Sequence, residues 1–170
     1  NQSILLEVPN NLQPDLLKQT ISKLLYHHDA LRLRFVQKGE QWQQNHSDDC
    51  NNFAFEKVDL SRLSCDEQLT KIAEISEVQQ RVLDLEEGPL MAVVFFALAE
   101  SGKMLIVIHH LAVDGISWRI ILEDFVTIYQ QLETQKPLQL PPKTSSFKTW
   151  AEELQNYAKT PEFHAQFKYW

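Results

Sequence analysis

The sequence predicts an α/β fold in which a mixed β-sheet is flanked by helices. Residues 90–98 and 104–108 are almost continuously apolar, which is typical of strands in the interior of a sheet. The chain between them includes Glu-Ser-Gly-Lys, a turn composition, so the two strands form a predicted hairpin. Residues 118–132 instead carry apolar side chains at i, i+3, i+4 and i+7, the pattern of an amphipathic helix.

The remaining elements follow from the same two periodicities, because strands repeat every second residue and helices about every 3.6 residues. The other predicted strands are residues 3–8, 31–35, 41–44 and 53–58. The predicted helices are residues 14–26, 64–82, 116–132, 147–158 and 160–170. In residues 31–35 the alternation places Arg32 and Arg34 on one face of a half-buried strand.

The second predicted helix has a recognisable beginning. Ser64 is followed three residues later by Glu67, the capping-box pattern in which each residue satisfies a free N–H group of the other. The residues predicted to lie on or near the apolar side of this helix are Leu69, Ile72, Val78 and Val82.

The composition excludes several functional classes. The chain has 170 residues, 44% of them hydrophobic and 23% charged, as expected for one globular domain. Its 16 basic and 23 acidic residues give a net charge of −7, which argues against nucleic acid and against an anionic membrane surface. The longest apolar run, residues 90–99, is about half of the roughly 20 residues that span a bilayer. We therefore expect neither nucleic acid nor membrane among its partners.

The cysteines and the chain ends predict the cellular compartment of the protein and whether the chain is part of a longer one. Cys50 and Cys65 form neither a CxxC motif nor a disulfide framework, and the first residues lack the basic segment of a signal peptide. A cytoplasmic setting is therefore expected. The last apolar stripe reaches Trp170 without a capping residue, so we expect the chain to be shortened from a longer protein at both ends.

Residues 109–115, HHLAVDG, combine reactive groups directly after a buried strand and directly before a long helix. Adjacent histidines in a strand point to opposite faces, so at most one of His109 and His110 faces a given cleft. Gly115 allows a close backbone approach, and the next helix supplies free N–H groups and the positive end of its dipole. A general base beside such donors can move a proton and stabilise an oxyanion or enolate, as thioester chemistry requires.

Two other interpretations of the histidines stay open at this point. A buried histidine is often a satisfied core residue, and Asp114 can cap the helix through Ser117 without any chemistry. A zinc site is the weaker alternative, because adjacent histidines diverge and neither HExxH nor CxxC is present. The histidines that such a site would draw on are His27, His28, His109 and His110.

Three motifs in the same order resemble the condensation-domain superfamily of nonribosomal peptide synthetases, which shares the chloramphenicol-acetyltransferase-like fold. Residues 109–115 match its HHxxxDG signature, residues 27–35, HHDALRLRF, resemble its HHxxLRxxF element, and residues 83–89, LDLEEGP, resemble FDLxxGPL. Two further segments favour the epimerization type. Residues 116–124, ISWRIILED, are similar to its DGxSWRxLxED element, and residues 141–151, PPKTSSFKTWA, to PxKTxSFxxWA.

The resemblance implies a role for each residue of the motif. His110 would be the catalytic base or acid, and His109 would face the interior and support the structure. Asp114 would be a structural anion paired with Arg32, and Gly115 would leave room for the substrate and offer its N–H group. His27 and His28 would close a helix and have no chemical role.

The resemblance also implies that residues 1–170 are the N-terminal lobe of a larger two-lobed domain. The missing C-terminal lobe would supply the glutamate that works opposite the histidine. Such a domain needs no cofactor of its own, because its substrate is carried on the phosphopantetheine arm of a peptidyl carrier protein. Inversion of the α-carbon of that thioester is the predicted reaction, peptide-bond formation by a condensation domain is the alternative, and a catalytically silent docking lobe is a third interpretation.

Overall fold

The computed structural model describes residues 1–170 and contains two compact units, residues 1–140 and 141–170. The strands are Gln2–Val8 (β1), Leu33–Lys38 (β2), Gln41–His46 (β3), Ala54–Asp59 (β4), Met91–Ala97 (β5) and Gly102–Ile108 (β6). The helices are Pro14–His27 (α1), Cys65–Gln79 (α2), Gly115–Glu133 (α3), Phe147–Tyr157 (α4) and Pro161–Ala165 (α5). Two short 3-10 turns cover Asp29–Arg32 and Gln166–Lys168.

The predicted hairpin, β5 and β6, lies at the centre of a four-stranded sheet with the order β1-β6-β5-β4. The sheet is mixed, as predicted, because β4 and β5 are parallel while the other neighbouring pairs are antiparallel. Residues 91–96 and 104–108 are all buried, which confirms the prediction of two interior strands. A separate two-stranded sheet consists of β2 and β3.

Both faces of the central sheet are covered, because successive side chains of a strand point to opposite faces. Phe95 joins a cluster with α1 and α3, whereas its neighbour Phe96 joins a second cluster with α2. The buried helical residues of the first cluster are Leu17, Ile21, Leu24, Leu25, Ile121, Phe125, Ile128 and Tyr129. Two helices thus pack on one face and one on the other. No helix is both long and apolar enough to pass through a bilayer.

The helix α2 begins as predicted but buries less of its surface than predicted. The capping box of Ser64 and Glu67 is present, with the Ser64 N–H donating to Glu67 Oε2 at 2.9 Å. Ile72 is buried, whereas Leu69 and Val78 are 63% and 60% exposed. The predicted apolar side is therefore only partly buried, because α2 contributes the buried Ile72 and the partly buried Ile75 to the cluster beneath it. Val82 lies beyond the end of the helix.

The predicted strand 31–35 is corrected at its beginning. Residues Asp29–Arg32 form a 3-10 turn, and β2 starts at Leu33, so Arg32 and Arg34 do not share a strand face. The Arg32 Nε–H donates to the Leu25 carbonyl at 2.8 Å and holds this turn against the end of α1. Arg34 does lie in the strand and is buried.

The unit of residues 141–170 contains α4 and α5, each capped by a hydroxyl group. Ser146 accepts from the Thr149 N–H and Thr160 accepts from the Phe163 N–H, at 3.1 and 3.2 Å. The predicted helix 160–170 is shorter than expected, because α5 ends at Ala165 and a 3-10 turn follows. Edge-to-face ring contacts within this unit join Tyr157, Phe163, His164 and Phe167.

The uneven burial of α2 gives a test with a matched control on the same helix. Ile72→Ala is expected to destabilise the α2–sheet packing by about 2–4 kcal/mol, because it leaves a cavity in a buried cluster. Leu69→Ala removes an equally large but exposed side chain, and its effect should stay within about 0.5 kcal/mol. Hydrogen exchange of peptides from α2 and β5, followed by mass spectrometry, measures the loss of stability caused by each substitution. Equal effects of the two substitutions would contradict the structure.

Candidate active site

The two adjacent histidines lie in a turn at the end of the central strand β6. The strand ends at Ile108, the His109 N–H donates to the Leu90 carbonyl at 3.0 Å, and the Ala112 N–H donates back to the His109 carbonyl at 2.9 Å. His109 and His110 therefore follow the strand and do not lie within it, as the sequence had predicted. They differ in exposure, since His109 is half-buried and His110 is exposed.

Hydrogen bonds at both ring nitrogens of His110 show which nitrogen donates and which accepts. Its Nδ1 lies 2.9 Å from the Val113 carbonyl oxygen, which only accepts, so Nδ1 carries the proton. Its Nε2 lies 2.9 Å from Nε2 of the Gln2 side chain, which only donates, so His110 Nε2 accepts this hydrogen bond. Gln2 Oε1 in turn accepts from the Trp118 Nε1–H at 2.8 Å, which fixes the orientation of the amide. Neither Gln2 nor Trp118 was a predicted site residue.

His109 supports the same turn from its half-buried position. Its Nδ1 accepts a hydrogen bond from the Leu111 N–H at 3.2 Å, which requires an unprotonated nitrogen. Burial lowers the pKa of His109 below its ordinary value, and the positive charges of the nearby N-terminal amine and of a protonated His110 ring lower it further. His109 is therefore held in the form that this hydrogen bond needs.

Asp114 caps the long helix α3. Its Oδ1 accepts from the Ser117 N–H at 2.7 Å and from the Ser117 hydroxyl at 2.6 Å. These two hydrogen bonds lower the pKa of Asp114, because they stabilise the carboxylate form. The capping interpretation of Asp114 and Ser117, which the sequence left open, is the one that the structure shows.

The predicted ion pair between Asp114 and Arg32 is wrong. The Arg32 guanidinium donates to the Ser47 carbonyl and to Asp29 Oδ1, the latter at 2.6 Å. The reason is local, because the 3-10 turn places Asp29 three residues before Arg32 and keeps both beside the end of α1. The resemblance thus gave Arg32 a partner that the structure does not show.

Gly115 is the first residue of α3 and lies in open space. A Cβ added there would meet no heavy atom within 4 Å, so packing within this chain does not demand glycine. The resemblance implies that glycine leaves room here for the substrate, and this stays a prediction.

A second cluster of polar side chains lies between α1 and α3. His28 Nε2 is 2.8 Å from Asp124 Oδ2, and Asp124 is only 6% exposed. The ligand atoms of His27, His28 and Asp124 lie within 4.8 Å of one another, so these three groups could hold a metal ion. The hydrogen bond already gives the buried carboxylate a partner, and we interpret it as a link between the two helices. His109 and His110 are not part of this cluster.

The fold and the turn identify the class of protein. The condensation-domain family matches residues 1–170, and the chain therefore belongs to this family. It is a condensation-family domain of the kind found in nonribosomal peptide synthetases, and its mixed sheet and flanking helices are those of one lobe of a chloramphenicol-acetyltransferase-like fold.

Individual relatives are much longer than this chain. A component of the linear gramicidin synthase of Brevibacillus parabrevis is 45% identical over 172 residues, which is 100% of this chain and 3% of the relative. The crystal structure of the epimerization domain from the third module of tyrocidine synthetase B is 38% identical with a TM-score of 0.90, over 100% of this chain and 39% of that chain. The starter condensation domain of rhizomide synthetase shares the fold with a TM-score of 0.80 at 17% identity, over 99% of this chain and 40% of that chain.

Double-mutant cycles test the corrected partner of Arg32. Asp29→Ala and Arg32→Ala should be coupled by more than about 0.5 kcal/mol in urea unfolding, because the two residues share a hydrogen-bonded ion pair. The changes in the free energy of unfolding caused by Asp114→Ala and Arg32→Ala should be additive, because these residues share no contact. Asp114→Asn keeps a capping oxygen and should retain more stability than Asp114→Ala. Clear coupling between Asp114 and Arg32 would restore the pair that the family resemblance implies.

The lowered pKa of His109 predicts acid sensitivity of the turn. Because the folded chain binds fewer protons at this ring than the unfolded chain, stability should fall as the pH drops below the ordinary value of 6.5. Protonation also removes the acceptor of the Leu111 N–H. Hydrogen exchange of the peptide that contains Leu111 should therefore accelerate on the acid side, and His109→Gln should flatten this dependence. Identical pH profiles for the parent and the variant would refute the prediction.

Proposed function

We propose that this chain is the histidine-bearing lobe of an epimerization domain. In this proposal His110 moves a proton at the α-carbon of an aminoacyl or peptidyl group, held as a thioester on the phosphopantetheine arm of a carrier protein. The observation that carries the proposal is the similarity to the epimerization domain of tyrocidine synthetase B, at 38% identity and a TM-score of 0.90. The epimerization-type segments at residues 116–124 and 141–151 support the same choice.

The state of His110 suits the proposed proton transfer. A thioester acidifies the adjacent Cα–H, because the resulting enolate is delocalised, and an imidazole exchanges protons near neutral pH. The Nε2 lone pair of an exposed His110 would accept the Cα proton, and the electron pair of the broken C–H bond would pass into the enolate. Return of a proton to the opposite face of Cα would complete the inversion with all atoms balanced.

The first turn of α3 would stabilise the enolate. Backbone N–H groups at a helix N-terminus have no partner within the helix, and they form the positive end of its dipole. Asp114 engages the Ser117 N–H, and Gly115 presents open backbone at the start of the same turn. Donors placed where negative charge develops are among the largest contributions to catalysis of this kind.

The remaining groups of the proposed reaction lie outside the described residues. The chain spans 39% of the epimerization domain and 3% of the gramicidin synthase component that it resembles. The acid on the opposite face of Cα would be a carboxylate of the second lobe, and the carrier protein would bring its own phosphopantetheine. The proposal includes no resident cofactor, and it includes a cytoplasmic setting for the synthetase.

Substitution of each histidine in the parent multidomain protein tests the proposal. His110→Ala should lower α-carbon exchange on the carrier-bound thioester by about 100-fold or more while leaving aminoacyl loading intact, since it removes the base. His109→Ala should act mainly through stability, because His109 supports the turn. Deuterium uptake from solvent at Cα, read by mass spectrometry, measures the step directly.

The same assay separates the alternatives. Exchange at the parental rate in His110→Ala would refute the role of His110. A parent that forms peptide bonds without exchanging the α-proton would favour the condensation reaction instead. Absence of both activities in the parent would favour a silent docking lobe. The 170-residue chain by itself is expected to show neither activity, because it holds only one side of the proposed site.

A further inference from the structure

Gln2 contacts the proposed base from a distant part of the chain. It is the first residue of β1, and its register partner in β6 is Ile108, the last residue of that strand. The register therefore places Gln2 beside the turn that carries His110, 108 positions later in the sequence. The Gln2 side chain is partly buried, and both ends of its amide are hydrogen-bonded.

The hydrogen bonds around Gln2 have a fixed direction. The Trp118 indole N–H can only donate, so Gln2 Oε1 accepts at 2.8 Å and Gln2 Nε2 must face His110. At the other end the Val113 carbonyl can only accept, so His110 Nδ1 donates at 2.9 Å. If His110 Nε2 carried a proton, its N–H would face the N–H of the Gln2 amide, and two donors cannot form a hydrogen bond. The series of hydrogen bonds from Trp118 to Val113 therefore favours one state of the ring.

We infer that Gln2 is a positioning residue for His110, holding the ring in the orientation and tautomer that leave the lone pair on Nε2, and that Trp118 sets the orientation of the Gln2 amide. The inference deepens the proposed function, on which its catalytic consequence rests, but the geometry itself does not depend on it. Substrate would have to take the place of the Gln2 N–H at Nε2 before a proton could be transferred.

The residue that contacts His110 Nε2 is the uncharged Gln2, whereas the titratable neighbours of the ring bond other groups. His109 and Asp114 are its titratable neighbours along the turn; His109 bonds the Leu111 N–H, and Asp114 bonds Ser117. From β1 the ring is faced by the Gln2 amide. A carboxylate in that place would accept from Nε2–H and favour the imidazolium form instead.

Gln2→Glu in the full-length protein tests the inference directly. Diethyl pyrocarbonate modifies only the unprotonated imidazole, so peptide mapping of modified His110 across pH gives the midpoint of its titration. The substitution should move this midpoint upward by about one pH unit, because a carboxylate within hydrogen-bond distance stabilises the protonated ring. Gln43→Glu in the exposed strand β3 makes the same change of charge and should leave the midpoint where it is in the parent.

Trp118→Phe provides a second variant that removes only the indole donor. The Gln2 amide would lose its fixed orientation, so its N–H would occupy the lone pair on His110 Nε2 less often. The rate of His110 modification at high pH, where it no longer depends on pH, should therefore rise by about twofold to tenfold. If Gln2→Glu fails to fold, as judged by circular dichroism, the test rests on this conservative variant. An unchanged plateau rate in Trp118→Phe would then overturn the inference.

The outcomes distinguish the inference from the proposed function. A shift in Gln2→Glu that Gln43→Glu does not show supports the inference, even if the parent exchanges no α-proton and the proposed function fails. If exchange is present, its pH–rate profile should shift with the modification midpoint in Gln2→Glu. Equal midpoints in the parent and in both glutamate variants would overturn the positioning role, and so would equal shifts in the two variants.

Discussion

Burial of the hairpin formed by β5 and β6 is the constraint on which the rest of the structure depends. Both strands are hydrogen-bonded to neighbours on both sides and covered on both faces, and their buried residues 91–96 and 104–108 are all apolar. Lys103, near the beginning of β6, bonds Glu7 of β1 at the surface, and the next polar side chains follow the end of β6. The histidine turn lies at that point, between the last hydrogen bonds of the sheet and the cap of α3. A rigid platform thus presents His110 at the surface with little freedom in its backbone.

The antiparallel register of β1 against β6 completes the surroundings of His110. Because Gln2 lies opposite Ile108, one end of an edge strand reaches the turn, and the indole of Trp118 reaches the same amide from α3. Three elements therefore meet at one imidazole: the central strand, the edge strand and the long helix. Their hydrogen bonds agree on one tautomer of His110, the one with its lone pair on Nε2.

The family resemblance and the local physics disagree at Arg32. The residues of the HHLAVDG turn lie together because they are close in sequence, and the roles that the resemblance implies for them stay predictions. Arg32 belongs to a different motif, and its partner was taken from the family without a local reason. The 3-10 turn gives it a nearby carboxylate, Asp29, three residues earlier, and the largely buried guanidinium of Arg32 bonds this carboxylate at 2.6 Å. A family motif therefore assigns residue types more securely than it assigns their partners.

The sequence by itself determined several features that depend on neighbours within about four residues, although it missed the 3-10 turn in which Arg32 pairs with Asp29. The strand and helix periodicities, the capping box of α2 and the cap of Asp114 by Ser117 are of this kind, because their partners are fixed by the chain. Only the tertiary structure decided which apolar side of α2 is buried, that His28 bonds Asp124, and that Gln2 holds His110. The last two contacts join residues 96 and 108 positions apart, and strand register and helix packing, which place them, are properties of the whole core rather than of any segment.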